Sequence, residues 1–301
     1  MQFFLIFLNV VTPVFTLVLL GYLVGPRLQL EARTLSRIAY YLFVPSFVFS
    51  TISQADIEAS LAIRMTIYIL IVHLLCAALG FGVAKLMGAS FTLASAYVLI
   101  AVFGNVGNFG LSLVQFRLGE AAIVPATIYF LAIIIIAFMV SVGFASFAQA
   151  NSGWGALLSV FKTPAIVAVI PAMLFGFTGL EVPLFINRIT TLLGSAMIPT
   201  MLVTLGVQLA GVETLQINRH VVAATSVRLL GGPILAILLV IPFGLTGLAR
   251  GAGILQSSMP AAVLASIIAI EYDLIPEFVT TTVLFSTLAS LVTLTVILSL
   301  V

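Results

Sequence analysis

Charge is what this sequence has least of. Only 7% of its 301 residues are Asp, Glu, Lys or Arg, whereas soluble domains carry about a quarter. A soluble globular domain is therefore excluded. The net charge of +2 is small and scattered, which argues against nucleic acid as a partner. A single cysteine, Cys76, lies in an apolar run; it excludes a disulfide framework and leaves the redox compartment unread. There are two histidines, His73 and His220, and neither stands in the His-Glu-x-x-His helix of a metalloprotease. Asp56 and Asp273 fall near the ends of apolar runs, not as a pair inside them, so an aspartyl intramembrane protease is disfavoured. A serine intramembrane enzyme would want a Ser–His pairing, for which only His73 is deep enough. The last lysine is Lys162, so no late span offers one to retinal.

What is present is apolar. Hydrophobic residues make up 62% of the chain, and mean hydropathy is +1.33. Successive apolar runs of about 20 residues, parted by short polar breaks, predict an all-α polytopic membrane protein. Ten spans are predicted: 2–24, 36–53, 62–86, 92–117, 121–148, 162–179, 187–210, 219–245, 251–270 and 278–300. The N-terminal "MQFFLIFLNVVTPVF" lacks the positive n-region of a cleaved signal peptide and reads as the first span. No soluble domain fits between the spans, and the longest polar-to-small segment is "QANSGWGALL". Arg27, Arg33, Arg37, Lys85, Lys162 and Arg219 fall on one side of the membrane, and Arg64, Arg117, Arg188 and Arg250 on the other. The bias places the first loop in the cytoplasm and both termini outside, in a multi-pass protein of the plasma (cell inner) membrane.

Two landmarks recur. Pro45 in "YYLFVPSFVFS" lies in the second span, and Pro199 in "GSAMIPTMLVT" in the seventh. Gly107 follows the first by 62 residues and Pro260 follows the second by 61, so an offset near 154 aligns both pairs. Five spans per copy is an odd number, so a second copy enters the membrane upside down. The expectation is two inverted five-helix repeats, 1–148 and 162–301, joined by a linker loop at 149–161, as in secondary transporters.

The stretch "GNVGNFG" at 104–110 interrupts the fourth span with poor helix formers. "QSSMPAA", Gln256–Ala262, does the same in the ninth, where Pro260 removes a backbone donor. An unwound backbone is tolerated in a bilayer only where protein or a water-filled cavity satisfies its polar groups. Crossed breaks in helices 4 and 9 would turn freed N–H groups and half-helix N-termini toward one pocket suited to an anion. Asn105, Gly107, Asn108, Ser46, Gln256, Ser258, Met259 and Pro260 are the predicted substrate-binding residues, with Gly104 and Gly110 shaping the crossover. Pro45 and Pro199 are predicted kinks, with Ser46 and Thr200 beside them as candidate cavity residues. Close helix packing through glycine, with Asn as interhelical glue, is the alternative use of the same motif.

The run "VPSFVF", "GNVGNFGLSL", "IPTMLVTLGVQLAG" and "SSMPAAVLASIIAIEYD" resembles the auxin efflux carrier (PIN-like) transporter family along nearly the whole chain. The resemblance implies a fold shared with the bile acid:sodium symporters and the inverted-repeat sodium/proton antiporters. It also implies a scaffold of spans 1, 2, 6 and 7, a transport domain of spans 3–5 and 8–10 that moves as an elevator, and a homodimer. The implied substrates are small organic anions such as auxin or carboxylates. On the family's pattern Asn105 and Asn108 match the crossover polar residues, and Pro260 the crossover proline of the second repeat. Ser112 departs from it, standing where the family often has proline, which predicts a less sharply unwound first break.

Ionisable residues inside spans are functional candidates. Arg228, in "TSVRLLGGP", suits either a substrate carboxylate or a structural bond to Glu271 or to a backbone carbonyl. His73 suits either a proton relay or a satisfied interior position. All nine acidic residues, Asp56 and Glu213 among them, fall at span ends or in loops. No cofactor or metal is predicted. Proton or sodium coupling stays open, with Gln115, Gln208 and Gln256 as candidate oxygen ligands. The reading is a carrier of small organic anions, secondary-active or facilitative. A sodium-coupled symporter of the bile-acid type and a non-transporting membrane receptor are the alternatives. The chain is not read as an enzyme.

Overall fold

The computed structural model describes residues 2–55, 58–149, 162–178, 180–211 and 216–301. Most of the predicted linker, 150–161, and the acidic Asp56 and Glu213 lie outside the described residues. Among the described residues every regular element is a helix. Seven helices are long and apolar enough to cross a membrane. These are α1 (Phe4–Val24), α2 (Ala32–Ser53), α3 (Ala59–Leu86), α6 (its span Glu120–Ser141, the helix running to Gln149), α8 (Leu184–Ala210), α9 (Arg219–Val240) and α12 (Pro276–Leu300).

The other three predicted spans differ from simple membrane helices. The sixth is the shorter apolar helix α7 (Pro164–Thr178), 15 residues, or about 22 Å at 1.5 Å per residue. The fourth is divided into α4 (Phe91–Val102) and α5 (Leu111–Leu118). The ninth is divided into α10 (Gly247–Ser257) and α11 (Val263–Glu271).

Proline sets much of the local shape. In α1, α2 and α9 a wide turn precedes a proline: Phe7–Val11 before Pro13, Ala39–Phe43 before Pro45, and Val227–Gly231 before Pro233. Proline cannot donate to the preceding turn and its ring crowds the carbonyl there, so the helix widens by one residue instead of stopping. In α8 a turn at Ala196 precedes Pro199.

Small residues decide which helices meet. α1 packs along the second half of α8, where Gly21 lies on the Val203 carbonyl and Gly206 on the Val18 carbonyl. A Cβ at either glycine would collide with that backbone, so each helix depends on the other's missing side chain. α2 packs on α7 and on the first half of α8, with Gly194 against Phe47. α3, α4 and α6 pack on one another, α9 packs on α10 and α12, α11 packs on α12, and α9 and α10 pack back onto α3 and α6 respectively. The wide turn Val106–Gly110, which leads into α5, meets the second half of α8. There Phe109 stands edge-on to Phe15 of α1, ring centres 5.0 Å apart.

Candidate functional site

The two helix breaks touch. The first is Phe103–Asn105 and the second Ser258–Ala262. Gly104 and Ala261 form an antiparallel bridge, with Asn105 N–H donating to the Pro260 carbonyl at 2.7 Å and Ala262 N–H to the Phe103 carbonyl at 2.8 Å. Each break thus supplies one donor and one acceptor to the other, as two β-strands would. Other groups are met locally: Gly104 N–H reaches Val102, Val106 N–H reaches Gly104, and Phe109 and Gly110 both donate to Asn105. Ala261 N–H goes to Ser286 Oγ of α12, 3.1 Å away. The requirement that membrane backbone be satisfied within the protein is met almost residue by residue.

One side chain takes a carbonyl of the second break and one from the last turn of each helix that leads into the two breaks. Arg228 donates from Nε to Met259 (2.8 Å), from Nη1 to Ala101 (2.7 Å) and from Nη2 to Ser257 (3.0 Å). It is 1% exposed. Inserting an arginine at mid-membrane costs about 2.5–3.5 kcal/mol on insertion scales, while hydrogen bonds to a charged group are worth about 1.5–3 kcal/mol each. On that scale three such bonds offset the penalty. Of the alternatives open from the sequence, the bonds formed are those to backbone carbonyls; Glu271 lies exposed at the end of α11. Arg228 reaches them because the wide turn before Pro233 turns it inward and Gly232 lets α9 approach the Ser257 carbonyl.

The three glycines of "GNVGNFG" each receive a neighbour. A Cβ at Gly104 would strike the Arg228 guanidinium, at Gly107 the edge of the Phe130 ring, and at Gly110 the Gln256 carboxamide. Their service is steric as well as conformational.

Some polar groups are left over, and they gather at the crossover. Asn105 is 4% exposed and its Nδ2 has no hydrogen-bond partner. Asn108 is half-buried, and its carboxamide takes no partner among the described residues. The Gln256 Oε1 is buried and unpartnered, its Nε2 reaching only the Ala126 carbonyl at 3.4 Å. The N–H groups of Gly107 and Asn108, and of Val263 and Leu264, head the two half-helices without a protein acceptor among the described residues. Unsatisfied donors at helix starts carry the positive end of the helix dipole.

Other predicted site residues are placed elsewhere. Ser258 and Met259 lie in the second break, but Ser258 Oγ donates back to Ile254 (2.7 Å) and is not free. Gln115 donates to Glu120 at the exposed end of α5, and Gln208 reaches Ser36 at 3.4 Å, so neither comes to the crossover. Their span positions hid this, because one turn of helix separates a buried from an exposed carboxamide. Ser46 and Pro45 stand in α2, whose extensive packing is with α7 and α8. Pro199 lies in the half of α8 that meets the wide turn before α5. Ser112 sits beyond the first break and donates to the Asn108 carbonyl at 2.9 Å. That break is shorter than the second.

His73 is buried in α3. Its Nδ1 bonds the Ile69 carbonyl at 2.8 Å and Nε2 faces Tyr129 Oη at 3.4 Å. Tyr129 Oη is 2.8 Å from Ser257 Oγ, which ties this cluster to the last residue of α10. Sequence reasoning missed Ser257, Tyr129, Phe130 and Ser286. Ser257, inside the motif "QSSMPAA", was the one with a readable signal; Ser286 is one of many Ser and Thr residues in α12.

Among the described residues no group of three His, Cys, Asp or Glu stands close enough to hold a metal ion. A cleft of about 710 Å³ between α2, α3, α6 and α7 is lined by apolar residues such as Ile52, Ala62, Ile128 and Val169, and no residue of either break lines it.

A family model described as membrane transport protein matches residues 6–155 and 151–298. The chain belongs to that family. This is the auxin efflux carrier (PIN-like) family that its motifs resemble. Proteins similar to the chain include an uncharacterized transporter of Methanothermobacter thermautotrophicus, 26% identical over 94% of this chain and 95% of its own. An uncharacterized transporter of Methanocaldococcus jannaschii is 25% identical over 94% and 95%. A Rhizobium meliloti protein named "Putative malonate transporter" is 25% identical over 97% and 95%. The protein is thus a multi-pass membrane transporter, and the family and relatives' names indicate transport, not enzymatic catalysis.

Proposed function

We propose that this transporter is a carrier of small organic anions, secondary-active or facilitative, that binds substrate at the crossover and works by alternating access. The observation that carries the reading is the set of unpartnered donors there: Asn105 Nδ2, the Asn108 carboxamide and the amides heading both half-helices. A carboxylate is the ligand such donors fit. The two breaks belong to two inverted repeats of five spans, helices 1, 2, 6 and 7 of that set forming a scaffold and the rest a transport domain. The glycine-mediated contact of α1 with α8 supports a rigid scaffold. The protein is assigned to the plasma membrane as a homodimer, with both termini outside.

One relative's name directs the choice of probe to malonate; the apolar Phe103 and Met259 within the breaks add indole-acetate. The test is uptake of labelled malonate and indole-acetate into proteoliposomes, comparing the unmodified protein with Asn108→Ala. Saturable flux that collapses in the variant supports carrier and site together. Binding without flux for either anion would sink the carrier reading in favour of a receptor. The unpartnered Gln256 Oε1 favours a second version, sodium-coupled symport. Flux unchanged when sodium is replaced by choline removes it.

A further inference from the structure

Arg228 raises a question of charge. A buried guanidinium in a membrane protein ordinarily meets a carboxylate, yet all three bonds of this one go to carbonyls. Two of those carbonyls are special. Ala101 lies in the last turn of α4, and Ser257 is the last residue of α10. Both half-helices that run into the crossover therefore end on Arg228. The C-terminal end of a helix carries about half a negative charge and the N-terminal end about half a positive one. The two C-terminal ends sum to about one negative charge, and the guanidinium cancels it.

What that leaves is unbalanced. The half-helices that leave the crossover start at Val106 and Val263, within two residues of the Gly104–Ala261 bridge. Among the described residues their head amides take no acceptor, and Asn105 Nδ2, on the residue that precedes Val106, is buried without one. Were Arg228 absent, the two negative ends would offset the two positive ends, and the crossover would be electrically neutral.

Resting on the carrier reading above, we propose that Arg228 is the residue that makes the crossover select one carboxylate over its neutral amide, without touching the ligand. It is a positioning residue that leaves about one positive charge of helix ends for the substrate to balance. A dicarboxylate would place one carboxylate at the crossover, and its second group would lie outside the compensated charge.

Binding separates this assignment from transport. Malonate and malonamide are titrated calorimetrically against the full-length protein in detergent, and malonate flux is followed in proteoliposomes. The unmodified protein is expected to prefer malonate by at least about a hundredfold, as close charge pairing in a dry site allows. Arg228→Lys keeps the charge and is expected to hold that preference within about threefold. Arg228→Gln, monodisperse on gel filtration, is expected to reduce it to about tenfold or less. A purely structural Arg228 would lower thermal stability in both variants without moving the preference, and that result overturns the proposal. If Arg228→Gln does not fold, Gly104→Ala pushes the guanidinium from its place. It should then weaken malonate binding about tenfold more than malonamide binding; equal weakening overturns the proposal. Charge-selective binding without flux would sink the carrier reading and leave this assignment standing. Absence of binding of either probe overturns both.

Discussion

The two breaks at the crossover reach the same backbone geometry from opposite chemistry. The first is built by subtraction. Its glycines remove side chains where Arg228, Phe130 and Gln256 come in. The second is built around Pro260, and it gives Arg228 the Met259 carbonyl, next to that of Ser257 at the end of α10. One break receives neighbours and the other holds them. A crossover needs two interrupted helices but not two similar sequences, because what the membrane demands is satisfied hydrogen bonds, whatever residues supply them.

That comparison can be broken at several points. The largest effect should come from the receiving side. Gly110→Ala would drive a methyl group into the Gln256 carboxamide, and overpacking of this kind typically costs about 1–3 kcal/mol. Thermal unfolding in detergent should show it, and Gln256→Ala in the same chain should restore at least about 0.5 kcal/mol through their coupling. Simple additivity of the two changes would show that Gly110 serves conformation alone.

Asn105→Ala should have a smaller effect of the opposite sign on stability. The residue makes no side-chain cap bond, and its buried Nδ2 is unpartnered, a condition that costs about 1–3 kcal/mol. Removing it is expected to raise the unfolding temperature while abolishing uptake. A variant that is both less stable and fully active would place Asn105 among packing residues and not at a ligand site.

The smallest change should fall on the second break. Donors from Arg228 and Asn105, and the Ala261 N–H bond to Ser286 Oγ, already fix its backbone, so Pro260→Ala should lose only about 0.4–1 kcal/mol of chain-entropy stabilisation. A large loss, read by the same unfolding measurement, would make the proline and not the arginine the builder of the break.

Much of the fold was legible in order and little of it in contact. Apolar runs gave the helices, and "GNVGNFG" and "QSSMPAA" marked where two of them stop being helical. The fourth and ninth spans are divided as their motifs predict, whereas the sixth is a helix of only 15 residues where the sequence suggested a full span. A hydropathy run records composition and not whether the backbone inside it stays hydrogen-bonded to itself. Gln115, Gln208 and Gln256 were alike as candidate oxygen ligands, yet only Gln256 meets the crossover. Spacing along one helix places a residue on a face, and which neighbour that face meets depends on packing that no local pattern encodes.

The sequence by itself determined that the chain lives in a bilayer, that it is helical, and that two of its helices are weak at polar, glycine- or proline-marked points. Those properties follow from hydrophobicity and backbone propensity, which act locally. Only the tertiary structure decided that the weak points pair with each other, and that Arg228, more than 120 residues from Ala101, closes their carbonyls. The reason is physical: an unwound segment in hydrocarbon cannot turn to water, so its partners come from wherever the fold brings a donor near.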